Sequence, residues 1–150
     1  MPLYFAYGSN MDLAAMAARC PASKPVGLGR LARHRFVINT DGYATVVRDP
    51  RESVHGLLFD LAMSDVPALD RYEAVGRLYS KVMQPIIVEA GSKRALVYVG
   101  RNSAPGAPKP GYLEGVVAAA RAAGLPEKYI AALAGVPAPA GFRAIGQKQR

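Results

Sequence analysis

Apolar and polar positions divide this chain into a strand-rich early part and a helical late part. Tyr4-Phe5-Ala6-Tyr7 is an apolar, aromatic run that predicts a buried strand, and it stops abruptly at Gly8-Ser9-Asn10. Glycine reaches backbone conformations closed to other residues, and Ser and Asn favour turns and helix caps. Asp12 to Arg19 is rich in Ala and Met and predicts a helix. The segment therefore reads as strand, tight turn, helix, with the amides of Gly8, Ser9 and Asn10 converging near a helix N-terminus. Such a turn can bind a carboxylate or stabilise an oxyanion. It also occurs for structural reasons alone.

Val26 to Asn39 mixes apolar and basic residues in a strand-like pattern, interrupted by Arg33-His34-Arg35. Tyr43 to Val47 predicts a short strand ended by Asp49-Pro50, and Ser53 to Leu61 predicts another. Gly56 within it suggests a bulge or a close backbone approach. Ser64 is expected to cap a short helix from Asp65 to about Tyr72, with Pro67 in its first turn. Tyr79 to Glu89 and Lys93 to Gly100 predict a hairpin around Ala90-Gly91-Ser92. Asn102 to Gly111 carries three prolines and reads as a loop long enough to suspect a role in function. Tyr112 to Ala123 predicts a helix stopped by Gly124, and Pro126 opens another that Gly135 stops near Ala134. Val136 onward reads as a loose tail. Without repeats or a second composition zone, residues 1–150 are expected to form a single domain. Short strands without alternating crossover helices disfavour a doubly wound parallel sheet. The expected class is α+β, a mixed or antiparallel sheet curled toward a barrel with flanking helices.

Composition narrows the compartment and the partners. No apolar run approaches the ~20 residues of a membrane span, and no signal-peptide pattern opens the chain. Cys20 is the single cysteine, so no internal disulfide forms and a reducing cytoplasm is expected. It precedes Pro21 and reads as a helix end rather than a nucleophile. The formal charge is +8, but the basic residues are scattered, with one tight cluster at Gln147-Lys148-Gln149-Arg150. No nucleic-acid-binding signature accompanies them. A basic surface also steers small anions into a site.

The search for chemistry leaves one string. His34 and His55 lack metal-ligand spacing, Ser9 is not in a Gly-x-Ser-x-Gly elbow, and no phosphate-loop or dinucleotide signature appears. In Leu69-Asp70-Arg71-Tyr72-Glu73-Ala74-Val75-Gly76-Arg77-Leu78-Tyr79, Asp70 and Glu73 would share a helix face. That is equally a solvated acidic edge. Glu73 nevertheless stands at a helix end between Tyr72 and Val75, and an acid in an apolar pocket has a raised pKa and can move protons near neutrality.

Taken together, these residues resemble the γ-glutamylcyclotransferase family. Tyr4-Phe5-Ala6-Tyr7-Gly8-Ser9-Asn10 looks like its N-terminal signature. Ala44-Thr45-Val46-Val47, Val54-His55-Gly56-Leu57-Leu58-Phe59, Leu69-Asp70-x-x-Glu73 with Tyr79, Val97-Tyr98-Val99, Tyr112-Leu113 and Gly124-Leu125-Pro126-x-x-Tyr129 follow in the same order. The resemblance spans roughly residues 3 to 130.

It implies a small mixed β-barrel with peripheral helices, and a reaction in which a γ-glutamyl α-amine attacks its own γ-carbonyl. Ring closure gives 5-oxoproline and expels the attached amine or amino acid. It implies no cofactor or metal, because nucleophile and electrophile share one molecule and the enzyme holds them in near-attack geometry. Glu73 would be the catalytic base and then acid. Tyr7, Gly8, Ser9 and Asn10 would bind substrate through backbone amides, and Tyr98 and Tyr112 would line the pocket, although both also fit as ordinary core tyrosines. The partner expected is a small-molecule γ-glutamyl substrate, without nucleic acid or membrane; monomer and homodimer both stay open.

Two features depart from the family pattern. Ala74 stands where the family usually has Gly after the acid, and its Cβ would be costly if the backbone needs a positive φ. The Asn102–Gly111 loop is this chain's own, and substrate choice is expected there. Asn10 after Gly-Ser favours the general γ-glutamyl branch over the glutathione-specific one. The leaving group stays open among an amino acid, the Cys-Gly of glutathione, a polyamine, a lysine side chain and a γ-glutamyl-protected metabolite. Two other readings also stay open: an inactive binding module on the same fold, and a nucleic-acid accessory protein.

Overall fold

In the computed structural model, which describes residues 2–136, five strands close a barrel in the order β1-β3-β2-β4-β5. They are β1 (Leu3–Ala6), β2 (Lys24–Ile38), β3 (Ala44–Asp60), β4 (Tyr79–Val88) and β5 (Gly91–Gly100). Neighbours are antiparallel except β1 and β5, which close the barrel in parallel at Tyr4 and Leu96. Helices α1 (Leu13–Arg19), α2 (Val66–Tyr72), α3 (Tyr112–Ala123) and α4 (Glu127–Ala134) pack outside, completing the expected mixed barrel with peripheral helices. The tail from 137 onward, with its basic cluster, lies outside the described residues.

Alternation of side chains along the strands explains why so apolar a sequence needs both layers. Phe5, Leu58, Leu31, Val54, Ile86 and Val97 fill the barrel interior. Tyr4, Ala6, Leu57 and Phe59, one position out of phase, pack under the helices against Met16, Leu69, Val116 and Ile130. A strand buried on both faces has no polar alternation, and this is the run read at Tyr4 to Tyr7. Each large side chain so buried stabilises the fold by ~1.5–3 kcal/mol. Gly56 is the close approach that the sequence suggested, since a Cβ there would run into the Ala6 carbonyl oxygen and the Phe5 ring.

The strands differ from expectation in two places and the α2 cap in a third. The two strands expected at Tyr43–Val47 and Ser53–Leu61 are one, β3, and Asp49-Pro50 marks a bulge instead of an end. Pairing jumps from Ala32↔Ser53 to His34↔Arg48, so Asp49 to Glu52 stand opposite Arg33 alone, at φ 61°. The Asp49 carboxylate accepts the Arg51 N–H at 3.1 Å there, and Pro50, which has no N–H to pair, is tolerated. The β4–β5 turn is Glu89-Ala90, because Gly91 already pairs with Val88. Ser64 does not cap α2; it lies in a 3-10 turn, Met63–Asp65, and Asp65 is the cap position. The Asp65 carboxylate turns away to Ser23 and to the Ala22 N–H.

Candidate active site

The N-terminal signature folds into a turn whose free donors belong to a 3-10 helix rather than to α1. Ser9–Met11 make that 3-10 turn, closed by the Met11 N–H on the Gly8 carbonyl at 3.1 Å. Its leading N–H groups have no carbonyl within the turn to bond. The first amides of α1 are occupied, because Asp12 caps Ala14 and Ala15. Gly8 sits in tight space: a Cβ would stand 3.1 Å from the Tyr112 hydroxyl, which would have to give by a few tenths of an ångström.

At the other side of the site, α2 ends at Glu73, whose N–H still bonds the Leu69 carbonyl at 3.0 Å. The chain then reverses through Ala74 at φ 51°, the positive φ at which a Cβ is costly. A left-handed non-glycine residue costs ~1–2 kcal/mol, offset in part by the greater unfolded-state freedom of glycine, ~0.4–1 kcal/mol. Ala74→Gly is therefore expected to stabilise the protein by a few tenths to ~1 kcal/mol, read as a higher denaturation midpoint at unchanged slope. A lower midpoint would mean that the turn is not strained.

These two segments meet across one recess. Tyr7, Gly8, Ser9 and Asn10 line a recess of about 30 Å³ together with Glu73, Tyr98 and Tyr112, so all seven residues singled out from sequence border one cavity. Its size suits a single small polar group such as a carboxylate or carbonyl. Ser9, Glu73, Tyr79 and Tyr112 also border an outer cleft of about 290 Å³. No residue of the Asn102–Gly111 loop lines either space. That loop docks instead on the β2–β3 turn, through Gly106 N–H to the Ile38 carbonyl and Lys109 N–H to the Gly42 carbonyl. Neither lining therefore supports the expectation that it chooses substrate.

Burial raises the Glu73 carboxyl to about 7, against the opposing pull of the Arg19 cation and the Tyr4 hydroxyl. Asn10, 2% exposed, organises this environment. Its amide nitrogen donates to Tyr4 Oη at 3.1 Å and reaches Glu73 Oε2 at 3.4 Å, while its oxygen accepts from Arg19 Nη1 at 2.6 Å. Arg19 also stacks 3.6 Å from the centre of the Tyr72 ring, and the Tyr72 hydroxyl meets Ser9 Oγ at 2.7 Å. The Asn10 side chain is thus engaged with protein.

The tyrosines are anchored as well. Tyr7 donates to the Tyr98 carbonyl, Tyr79 donates to the Ala44 carbonyl, and Tyr112 Oη accepts the Ala44 N–H. The Tyr98 hydroxyl donates to Asp70 at 2.6 Å, and Asp70 pairs with Lys81 at 2.9 Å. So Asp70 serves a different partner from Glu73, three residues on. Burial pushes every one of these phenols well above its ordinary range. Glu73 is left as the group in the recess poised near neutral pH. His34 bonds the Ala32 carbonyl and His55 packs on Tyr129; neither lines the recess or the cleft. Among the described residues no cluster of His, Cys, Asp and Glu could hold a metal ion.

Sequence reasoning missed Tyr4, Tyr79 and Arg19. Tyr4 and Tyr79 stood within the matched motifs without a role of their own, and Arg19 was only the end of a predicted helix. Its approach to Asn10 depends on how α1 folds back over the turn.

A family model described as the AIG2-like family matches residues 53–133, more than half of the chain. The protein belongs to the AIG2-like family. This AIG2-like chain is 26% identical over 141 residues to γ-glutamylcyclotransferases of Mus musculus and Homo sapiens, covering 85% of itself and 74% of each. A solved γ-glutamyl cyclotransferase superposes with a TM-score of 0.82 at 22% identity, over 97% of this chain and 93% of that one. The AIG2-like barrel described above is therefore the γ-glutamylcyclotransferase fold.

Proposed function

We propose that this protein converts a γ-glutamyl amide or peptide to 5-oxoproline, with release of the attached amine or amino acid. The observation that carries this reading is a buried carboxyl group, raised to about 7, lining one recess with the Gly8-Ser9-Asn10 turn. The named relatives support it.

Glu73 takes a proton from the substrate α-ammonium, and the neutral amine attacks the γ-carbonyl carbon. The carbonyl oxygen becomes an oxyanion held by the turn amides, which cost no reorganisation because the turn is already formed. Glu73 passes its proton to the leaving nitrogen and takes the second proton from the ring nitrogen. The bond between the γ-carbon and the leaving nitrogen breaks. The second proton then follows to the released amine, restoring the Glu73 carboxylate. Both transfers are within reach of one carboxylate because Glu73 borders recess and cleft alike.

The pH profile tests the assignment of the base. The rising limb of kcat/KM for 5-oxoproline release is expected near pH 7, from Glu73. The falling limb is expected at the substrate ammonium, ~8 for an α-amine, and should move with substrates of altered amine basicity. Replacing His34 and His55 together by Gln should leave both limbs in place. Loss of a limb in that double variant would transfer the proton to a histidine. A panel of γ-glutamyl compounds yielding no 5-oxoproline at all would overturn the function itself.

A further inference from the structure

The outer cleft carries a charge arrangement that the reaction does not use. Arg71, on the last turn of α2, and Arg77, in the reversal after Glu73, both line it, and Glu73 is the single acid among its lining residues. Neither guanidinium has a hydrogen bond or ion pair to another side chain or carbonyl among the described residues; the ion pairs found there are Arg35–Asp49 and Lys81–Asp70. The segment bearing Arg77 is firmly held. The Arg77 and Leu78 amides both bond the Ala74 carbonyl, at 3.0 and 2.8 Å, and Gly76 bonds Tyr79. Tyr43, Tyr72 and Leu78 supply an aromatic and apolar wall beside these cations.

We propose that this cleft is the leaving-group subsite, and that Arg71 and Arg77 select a leaving amine bearing a carboxylate. The inference rests on the cyclotransferase reading and deepens it. Glu73 borders both spaces, so the nitrogen it protonates stands at their junction, and whatever that nitrogen carries extends into the outer cleft. Once Glu73 is engaged with the substrate ammonium, nothing in the lining offsets two cations. A carboxylate there gains charge-assisted, forked hydrogen bonds, whereas the second ammonium of a diamine meets like charge. The substrates are then γ-glutamyl-amino acids or peptides with a free carboxylate. Polyamine conjugates and isopeptides inside protein chains are disfavoured.

The test measures kcat/KM for 5-oxoproline release from γ-glutamyl-alanine, γ-glutamyl-ethylamine and mono-γ-glutamyl-diaminobutane. The parent protein and an Arg71→Gln, Arg77→Gln double variant are compared. The parent is expected to prefer alanine to ethylamine by about 10-fold, the low end of a hydrogen bond to a charged group, and to turn over the diamine compound least. In the double variant the alanine-to-ethylamine ratio should fall toward one, through KM rather than kcat, while the diamine compound gains relative to ethylamine. Comparing ratios removes any loss from misfolding. Equal turnover of all three by the parent, or ratios unchanged in the double variant, would overturn the subsite while leaving cyclisation intact. Absence of 5-oxoproline from all three would overturn the cyclotransferase reading beneath it.

Discussion

Glu73→Gln is expected to lower kcat for 5-oxoproline release by ~10²–10⁴-fold and, in the same protein, to raise stability at alkaline pH. Gln retains the shape and hydrogen-bonding reach toward Asn10 but accepts no proton. The stability effect follows from linkage. The carboxyl titrates near 4.5 in the unfolded chain and at about 7 when folded. Between these values the unfolded state has released a proton that the folded state retains, so stability falls as pH rises through this window and levels off above it. Holding the ionised carboxylate in the recess costs on the order of 3 kcal/mol, from ~1.4 kcal/mol per pKa unit. The variant escapes that cost. Denaturation at pH 8 should therefore show it more stable than the parent, with the pH-dependent gain vanishing below pH 4.5. Near-parental activity, or a gain that does not depend on pH, would remove Glu73 from the role of base.

The second large effect concerns the nucleophile. Acetylating the α-amine of a γ-glutamyl compound leaves its γ-amide bond untouched but removes the basic lone pair that must attack. An intramolecular cyclisation then has no nucleophile, and turnover should fall below detection while the unblocked compound reacts. An enzyme that delivers water to the same carbonyl would still cleave the blocked substrate. Release of its amine with free N-acetylglutamate would mark an amidohydrolase.

How far the sequence reached depended on whether a residue's partners were local. The Tyr4–Asn10 strand and turn, the α2 end at Glu73 and the Gly124 stop of α3 are set by neighbours in sequence, and they stand where the pattern put them. The bulge at Asp49–Glu52 was not legible, because it depends on the register between β2 and β3 and on Arg33 opposite. Pro50 is as compatible with an end as with a bulge. At the site, an acid at a helix end could be read from spacing, but not the environment that lifts it. Burial lifts it, against the pull of Arg19 and Tyr4, which the Asn10 side chain links beside the carboxylate. Arg71 and Arg77 read as ordinary solvated charges until both are seen to line the outer cleft.

The most direct test of the central claim is the isotopic composition of the product in water enriched in oxygen-18. Ring closure by the substrate's own amine keeps the original γ-carbonyl oxygen, so incubation with γ-glutamyl-alanine should release alanine and 5-oxoproline free of oxygen-18. Glutamate carrying oxygen-18, or 5-oxoproline labelled by way of it, would show that water attacks the carbonyl and would contradict intramolecular cyclisation.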